Sequence, residues 1–372
     1  MKKLTDYVSN QLLKEAAARV HEKIQGDKLL MDLTAQLLRI LYDEEDEEGF
    51  LAHEKKHRGY IEDVLGKDAD CFLFVVFDMG FDRLVDIYAK RGIPEEIMAA
   101  TMVDFDTKAD DYCEEFKAVG VIGYEWLVLH MRGWLFQIGR LQYVMYATFG
   151  NSHVLANNKS ELAVVVAKEG LMIDKDGLIV EEAPNFITVF EEADSDITAN
   201  PVNEIGNTLP TPITISKAEY KYTLKSGSPI LEMHIPAQGR LDREDCIDSM
   251  TNAIEFAKTY FPDIDYKGFT ISCWLLSEEL KELLNENSNI IKFSNLFYRA
   301  ATYGGASGGL GHTYKRVFGY DKDIKDYKSH TPVSTLQKGI HKLLDEGRIN
   351  IPRKGFILIE NGKLRLSGGR ES

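Results

Sequence analysis

Two adjacent stretches carry residue types that can move a proton or grip an anion. In Pro229-Ile-Leu-Glu-Met-His-Ile-Pro236, Leu231, Met233 and Ile235 alternate with Glu232 and His234, the period of two of a half-buried strand. Glu232 and His234 therefore share a face. With a reference pKa near 6.5, His234 is the first proton acceptor to consider and Glu232 the second; a hydrogen-bonded structural histidine is the plain alternative. Ala237-Gln-Gly-Arg-Leu241 follows, then a helix from about Asp242 to Tyr260 with apolar residues at Cys246, Ile247, Met250, Ala253, Ile254 and Ala257. Asp242 stands where an N-cap belongs. Gly268-Phe-Thr-Ile-Ser-Cys-Trp-Leu-Leu276 reads as the next strand. Strand, helix and strand make a crossover unit that joins parallel strands. At such a helix start the unpaired N–H groups and the helix dipole favour an anion, for which a phosphate or pyrophosphate is suited. The segment Gln238-Gly-Arg240 is neither a Walker loop nor a dinucleotide fingerprint.

Other groupings read more plainly. Ala52-His-Glu-Lys-Lys-His57 matches the letters of a zinc-protease motif, but that motif needs an apolar, semi-buried helix. Lys55, Lys56 and Arg58 make this one an exposed, positively charged face. The acidic run Asp43-Glu-Glu-Asp-Glu-Glu48 reads as a solvated turn, because like charges repel and stay wet. The cluster Gly304-Gly-Ala-Ser-Gly-Gly-Leu-Gly311 has the composition of a surface loop and lacks the flanking strand and helix of a phosphate loop. Cys71, Cys113, Cys246 and Cys273 lie far apart, which indicates neither a zinc site nor a disulfide framework. No metal is expected.

The elements that must position these residues fall into two groups. Residues 1 to about 131 read as helical: about Thr5–Ile24, Lys28–Leu41, a third helix through Leu65, an unusually apolar fourth over Ala69–Arg91, and a further one opening at Pro94. From Gly133 the pattern changes. Trp134–Ala147 reads as one long strand or a pair bent at Gly139, with Arg140 and Gln142 facing either a substrate cleft or solvent. A hairpin is expected over Gly170–Gly177, turning at Asp176-Gly177. The polar stretch Ala193–Gly206 is a candidate substrate-binding loop or lid by its length. Ser277 should cap a helix, Ile290–Thr302 should run helix then strand, Ser334–Glu346 should be an amphipathic helix, and Gly355–Ile359 a closing strand.

The chain has 372 residues, 44% of them hydrophobic and 28% charged, with a net charge of −15. That length suits two domains, and the composition is that of a soluble globular protein. A polyanionic partner is disfavoured, since nucleic-acid binding calls for a basic stripe. No apolar run approaches a membrane span and the N-terminus lacks a secretory signal's apolar core, so a cytoplasmic location is expected.

Several motifs together resemble a known family. The run His234-Ile-Pro-x-x-Gly-x-Leu241, then Cys273-Trp-Leu-Leu276, Ser288-Asn-Ile290 and Phe293, resembles a bacterial acyltransferase-domain family with a helical N-acyltransferase N-terminal domain and a GNAT-like C-terminal domain. Further similar stretches occur in order: Arg91-Gly-Ile-Pro-Glu-Glu96, Arg132-Gly133, Gly139-Arg-Leu-Gln-Tyr143, Ile197-Thr-Ala-Asn-Pro-Val202, Arg316-Val-Phe-Gly319 and Thr335-Leu-Gln337. The resemblance implies an α+β or α/β chain: an all-helical domain over residues 1–131, then a GNAT-like mixed-sheet domain over 132–372.

It also implies a chemistry. Enzymes of this fold hold the pantetheine arm of acetyl-CoA or another acyl-CoA in a splay between two parallel strands, with the pyrophosphate on the following loop and helix start. That loop would be Gln238, Gly239, Arg240 and Leu241 here, with one glycine where the usual pattern has two, and with Asp242, Glu244 and Asp245 crowding it with negative charge. Asn289 would assist the cofactor arm, unless it and Ser288 only cap a helix. Transfer of the acyl group to an amine needs a base and an acid. His234 and Glu232 are the base candidates and Tyr298 the acid candidate. The acceptor, a small-molecule or peptide amine, would lie between the domains. An acyl-CoA-binding or protein-interaction module without catalysis is the alternative. A third reading, thioester hydrolysis through a Cys273–His234 dyad, competes with a buried thiol among Phe269, Ile271 and Leu275, which is the favoured reading. Nothing in the sequence sets the oligomeric state.

Overall fold

In the computed structural model, which describes residues 2–158, 163–304, 309–348 and 351–367, the chain divides between Ile138 and Gly139 into two units. The first holds seven α-helices among its described residues: α1 (Gln11–Gly26), α2 (Lys28–Tyr42), α3 (Glu47–Leu65), α4 (Phe72–Met79), α5 (Phe81–Arg91), α6 (Glu95–Phe116) and α7 (Tyr124–Met131), closed by the short strand β1 (Leu135–Ile138). Asn10, Asp27 and Asp46 cap the first three by accepting backbone N–H bonds from Leu13, Leu30 and Gly49. The first helix thus begins at Gln11 rather than Thr5, because Asn10 caps it and Leu4–Asp6 forms a separate 3₁₀ turn.

The apolar helix expected over Ala69–Arg91 is three pieces. Gly66–Cys71 is a 3₁₀ turn, and α4 and α5 part at Gly80, where a Cβ would collide with Leu38 of α2. Every residue from Phe72 to Phe77 is buried. Phe77 stacks on Phe50 with ring centroids 5.5 Å apart and meets Phe105 edge-on at 6.1 Å, favoured aromatic geometries. The acidic run before α3 is not merely solvated: Glu45 and Glu47 both pair with the buried guanidinium of Arg132, and Asp43 pairs with Arg83 at 2.6 Å.

The second unit is built on a mixed sheet of β2 (Leu141–Thr148), β11 (Pro229–His234), β12 (Gly268–Cys273), β14 (Arg353–Glu360) and β13 (Tyr298–Ala300) in that spatial order, with β15 (Lys363–Arg365) pairing β14. Only β11 and β12 run parallel within it; β2, β14, β13 and β15 pair antiparallel with their neighbours. The expected crossover is present: α8 (Arg243–Tyr260) joins β11 to β12 and buries Cys246, Met250, Ala253, Ile254 and Ala257. The last long strand does not close the sheet. β14 lies between β12 and β13, and its last residues also pair with β15.

Between β2 and β11 the chain forms smaller sheets: β3 (Ser152–Asn157), β4 (Ala163–Ala167) and β10 (Tyr220–Leu224); β5 (Met172–Ile173) with β6 (Phe186–Ile187); and β7 (Phe190–Glu192), β8 (Asp196–Ala199) and β9 (Ile213–Ser216). The Asp176-Gly177 turn brings Ile173 opposite Ile179. Ala193–Gly206 is not a free loop. It contains β8, whose Ile197 and Ala199 are buried between β7 and β9; the alternation Ile197/Ala199 was masked by polar flanking residues.

Of the remaining helices, α9 (Glu279–Leu283) starts beyond Ser277, whose hydroxyl donates to Glu279 instead of capping it. α10 (Asn289–Ser294) is capped by Ser288 and leads into β13, and α12 (Thr335–Asp345) opens on a Ser334/Gln337 capping box. α11 (Gly309–Phe318) begins inside the glycine cluster, of which residues 305–308 lie outside the described residues. No helix among the described residues is long and apolar enough to cross a membrane.

Candidate active site

The geometry of the site follows from where one strand ladder stops. β11 and β12 pair through Leu231↔Phe269 and Glu232↔Thr270. Beyond those residues β11 stays with β2, as Met233↔Tyr143 and His234↔Gln142, while β12 stays with β14 as far as Cys273↔Arg353. The two central strands therefore part after Glu232 and Thr270. The parting opens toward Ile235–Asp242 and the start of α8, so a linear group with an anionic end could lie along it.

Strand register also fixes which side chains border the opening. Glu232, Thr270, Phe356 and Tyr298 form one cross-strand row, and His234 and Lys354 point to the same side as that row, each two residues along its strand. His234 Nε2 and Glu232 Oε1 are 3.7 Å apart, with about a third of each side chain accessible at 33% and 38%. Burial raises the Glu232 carboxyl above the usual carboxylate range, with the Lys354 ammonium opposing the rise. Burial in turn lowers Lys354, which Glu232 opposes. Such a carboxylate binds a proton more readily than an exposed one, as proton abstraction from an ammonium requires.

Other expected residues are placed differently. Tyr298 shares the Glu232 row but sits three strands away, about 14 Å at the usual strand spacing. It stacks on Phe356 and donates its hydroxyl to the Leu366 carbonyl at 3.1 Å. Cys273, with Ile271 and Phe269, points to the opposite face from His234, and burial pushes its thiol up to about 11. It joins an apolar cluster with Leu275, Leu280, Ile291 and Tyr314. No Cys273–His234 dyad is assembled.

The loop residues Ala237, Gln238, Gly239 and Arg240 are exposed. Asp242 occupies the N-cap position of α8 without capping it; its Oδ1 accepts from Asn289 Nδ2 at 2.7 Å. Asn289 is thus engaged by Asp242, whose side chain makes no cap bond to the first turn of α8. The Arg240 carbonyl, with those of Pro236 and Gly239, accepts a hydrogen bond from Arg140, at 2.6, 3.2 and 3.2 Å. From the sequence alone Arg140 faces either cleft or solvent, and Lys354 does not stand out. The signal for Lys354 was faint: one cation on the apolar face that Phe356 and Leu358 continue.

His53 and His57, four residues apart on α3 with ring centroids 4.7 Å apart, each engage one ring nitrogen elsewhere. His53 Nε2 meets Gln36 at 3.0 Å and His57 Nδ1 meets the His53 carbonyl at 2.9 Å. Among the described residues no group of three or more His, Cys, Asp or Glu side chains is arranged to hold a metal ion.

A helical unit followed by a mixed sheet whose central parallel strands part above a crossover helix is the architecture of GNAT-like acyltransferases. Residues 135–357 match the GNAT-like C-terminal domain and residues 9–133 match the N-acyltransferase N-terminal domain. The chain belongs to this family. No curated protein matches it. Solved structures with the same fold include an acyltransferase in complex with decanoyl-CoA and teicoplanin, 20% identical, with a TM-score of 0.54 over 79% of this chain and 68% of that one. A mutant acyltransferase in complex with octanoyl-CoA gives 20%, 0.53, 79% and 68%, and an acyltransferase with CoA and 10C-teicoplanin gives 19%, 0.54, 79% and 68%. At that identity the likeness is one of fold.

Proposed function

We propose that the protein is an N-acyltransferase that moves an acyl group from acyl-CoA to an amine. The observation that carries this reading is the end of the β11–β12 ladder at Glu232 and Thr270, directly before an exposed loop and the start of α8. The pantetheine arm lies in the parting, and the pyrophosphate at the loop and α8, where backbone N–H groups and the helix dipole favour an anion. Gln238, Gly239, Arg240 and Leu241 line that end. The fold neighbours named above hold acyl-CoA or CoA, and two also hold teicoplanin or 10C-teicoplanin, which supports a small-molecule or peptide acceptor.

In the reaction Glu232, with His234 beside it, takes the proton from the acceptor ammonium. The freed amine nitrogen bonds to the thioester carbon, the C–S bond breaks, and CoA leaves as the thiolate, which takes up the second proton that the nitrogen gives up on becoming the amide. The Lys354 ammonium favours the ionised form of Glu232 and so opposes the effect of burial. Tyr298 is too far along the sheet, and its hydroxyl too engaged, to serve as the acid.

Isothermal titration with acetyl-CoA, octanoyl-CoA, decanoyl-CoA and free CoA tests the cofactor, followed by an amine screen with any acyl-CoA that binds. Micromolar binding with amide formation supports the transferase. Binding that survives in the Glu232→Gln and His234→Ala variants of a protein without turnover would identify an acyl-CoA-binding module. The absence of binding to all four ligands would refute the assignment.

A further inference from the structure

The carbonyls held by Arg140 determine where the loop's N–H groups point. In a planar trans peptide the C=O of one residue and the N–H of the next point in opposite directions, and no cis peptide occurs among the described residues. Arg140 draws in the carbonyls of Pro236, Gly239 and Arg240. The N–H groups of Ala237, Arg240 and Leu241 are therefore turned away from it. The anchor of Arg140 is itself rigid: it follows Gly139, whose left-handed turn lies against Ser249 of α8, and Ser249 Oγ accepts from Leu141 N at 3.1 Å and bonds the Tyr143 hydroxyl at 2.8 Å. The Arg140 guanidinium thus ties the start of β2 to the loop, while Ser249 ties the same stretch to α8.

The hydrogen-bond partners of Arg140 in the loop are neutral carbonyls, so its cation is not cancelled by them. Asp242, Glu244 and Asp245 bring negative charge to the same helix start, and Asp245 is near enough to act on Arg140 electrostatically. A diphosphate arriving there meets three acids, and a cation under the loop offsets them.

We propose that Arg140 is the positioning residue for the diphosphate of acyl-CoA, fixing the loop so that its N–H groups face the ligand and supplying the local positive charge. This rests on the acyl-CoA reading. Lysine keeps the charge but lacks the planar fork that reaches three carbonyls, which separates the two contributions.

The test compares octanoyl-CoA with S-octanoyl-pantetheine, which has the arm and acyl group but no diphosphate, by isothermal titration of the full chain, wild type, Arg140→Lys and Arg140→Met. In the wild type the ratio of the two dissociation constants measures what the diphosphate end contributes. Arg140→Met is expected to reduce that ratio roughly 10- to 100-fold, the size of losing one charge-assisted anchor, with pantetheine binding unchanged. Arg140→Lys is expected to fall between. An unchanged ratio in Arg140→Met overturns the proposal, as does an equal loss for both ligands in Arg140→Lys and Arg140→Met, which would mark general damage to the unit. A wild type that binds neither ligand overturns the acyl-CoA reading itself and the proposal with it.

Discussion

Glu232 on β11 and Lys354 on β14 flank β12 from the same side of the sheet and act on each other electrostatically. The pair is set by strand order and register, since Lys354 follows Glu232 by 122 positions in the chain. Each group is pushed by burial toward its neutral form and each pulls the other back.

This relationship fixes a pH dependence. The Glu232 carboxyl is raised by burial, so the base form is lost as pH falls at a higher pH than for an exposed glutamate. Lys354→Met removes the opposing ammonium. The acid limb of kcat/KM against pH is expected to move to higher pH in the variant, and an unmoved limb would show that another group carries it.

Glu232→Gln and His234→Ala are expected to reduce kcat by roughly 10²- to 10⁴-fold, the usual weight of a general base, with acyl-CoA affinity retained. Steady-state turnover beside titration of acyl-CoA checks this. A variant that keeps full turnover would remove that residue from the mechanism.

Cys273→Ser should leave acyl transfer within about twofold of wild type. Its thiol is held up to about 11 by burial, is protonated at neutral pH, and faces away from His234, so it cannot supply a thiolate. Release of free CoA without any amine, abolished in this variant, would instead establish thioester hydrolysis.

Gly239 adopts φ +79°, where a Cβ is strained by roughly 1–2 kcal/mol. Gly239→Val is expected to weaken acyl-CoA binding about tenfold or more by shifting the carbonyl that Arg140 holds, with the thermal midpoint of the protein nearly unchanged because the loop is exposed. Titration and a melting curve of the same preparation distinguish this from unfolding.

The helical unit has its own acid sensitivity. Asp104 is buried, which alone would raise its carboxyl, but His130 at 3.2 Å and the Trp126 indole hold it at about 2. Because that value is depressed, its stabilisation is present above the ordinary aspartate range and is lost as pH falls toward about 2. Asp104→Asn is expected to cost about 3 kcal/mol, measured by urea unfolding at neutral pH, and to flatten the acid limb of stability.

What the residues alone determined were the local patterns. The alternation around Glu232 and His234, the apolar stripe of α8 and the change from helical to strand periodicity near Gly133 each depend on neighbours within a few positions, and each is found in the structure. The same locality explains the errors. The contact that leaves no room for a Cβ at Gly80 comes from Leu38, more than 40 positions earlier, and the strand in Ala193–Gly206 exists because β7 and β9 supply its hydrogen bonds. The sequence could also place Glu232 and His234 on one face without knowing what lies opposite. Only the tertiary structure set Lys354 beside Glu232, carried Tyr298 three strands away, turned Cys273 to the other face and bent Arg140 onto the loop carbonyls. Those placements depend on strand order and register between segments from 39 to 122 positions apart, which the packing of the whole unit decides.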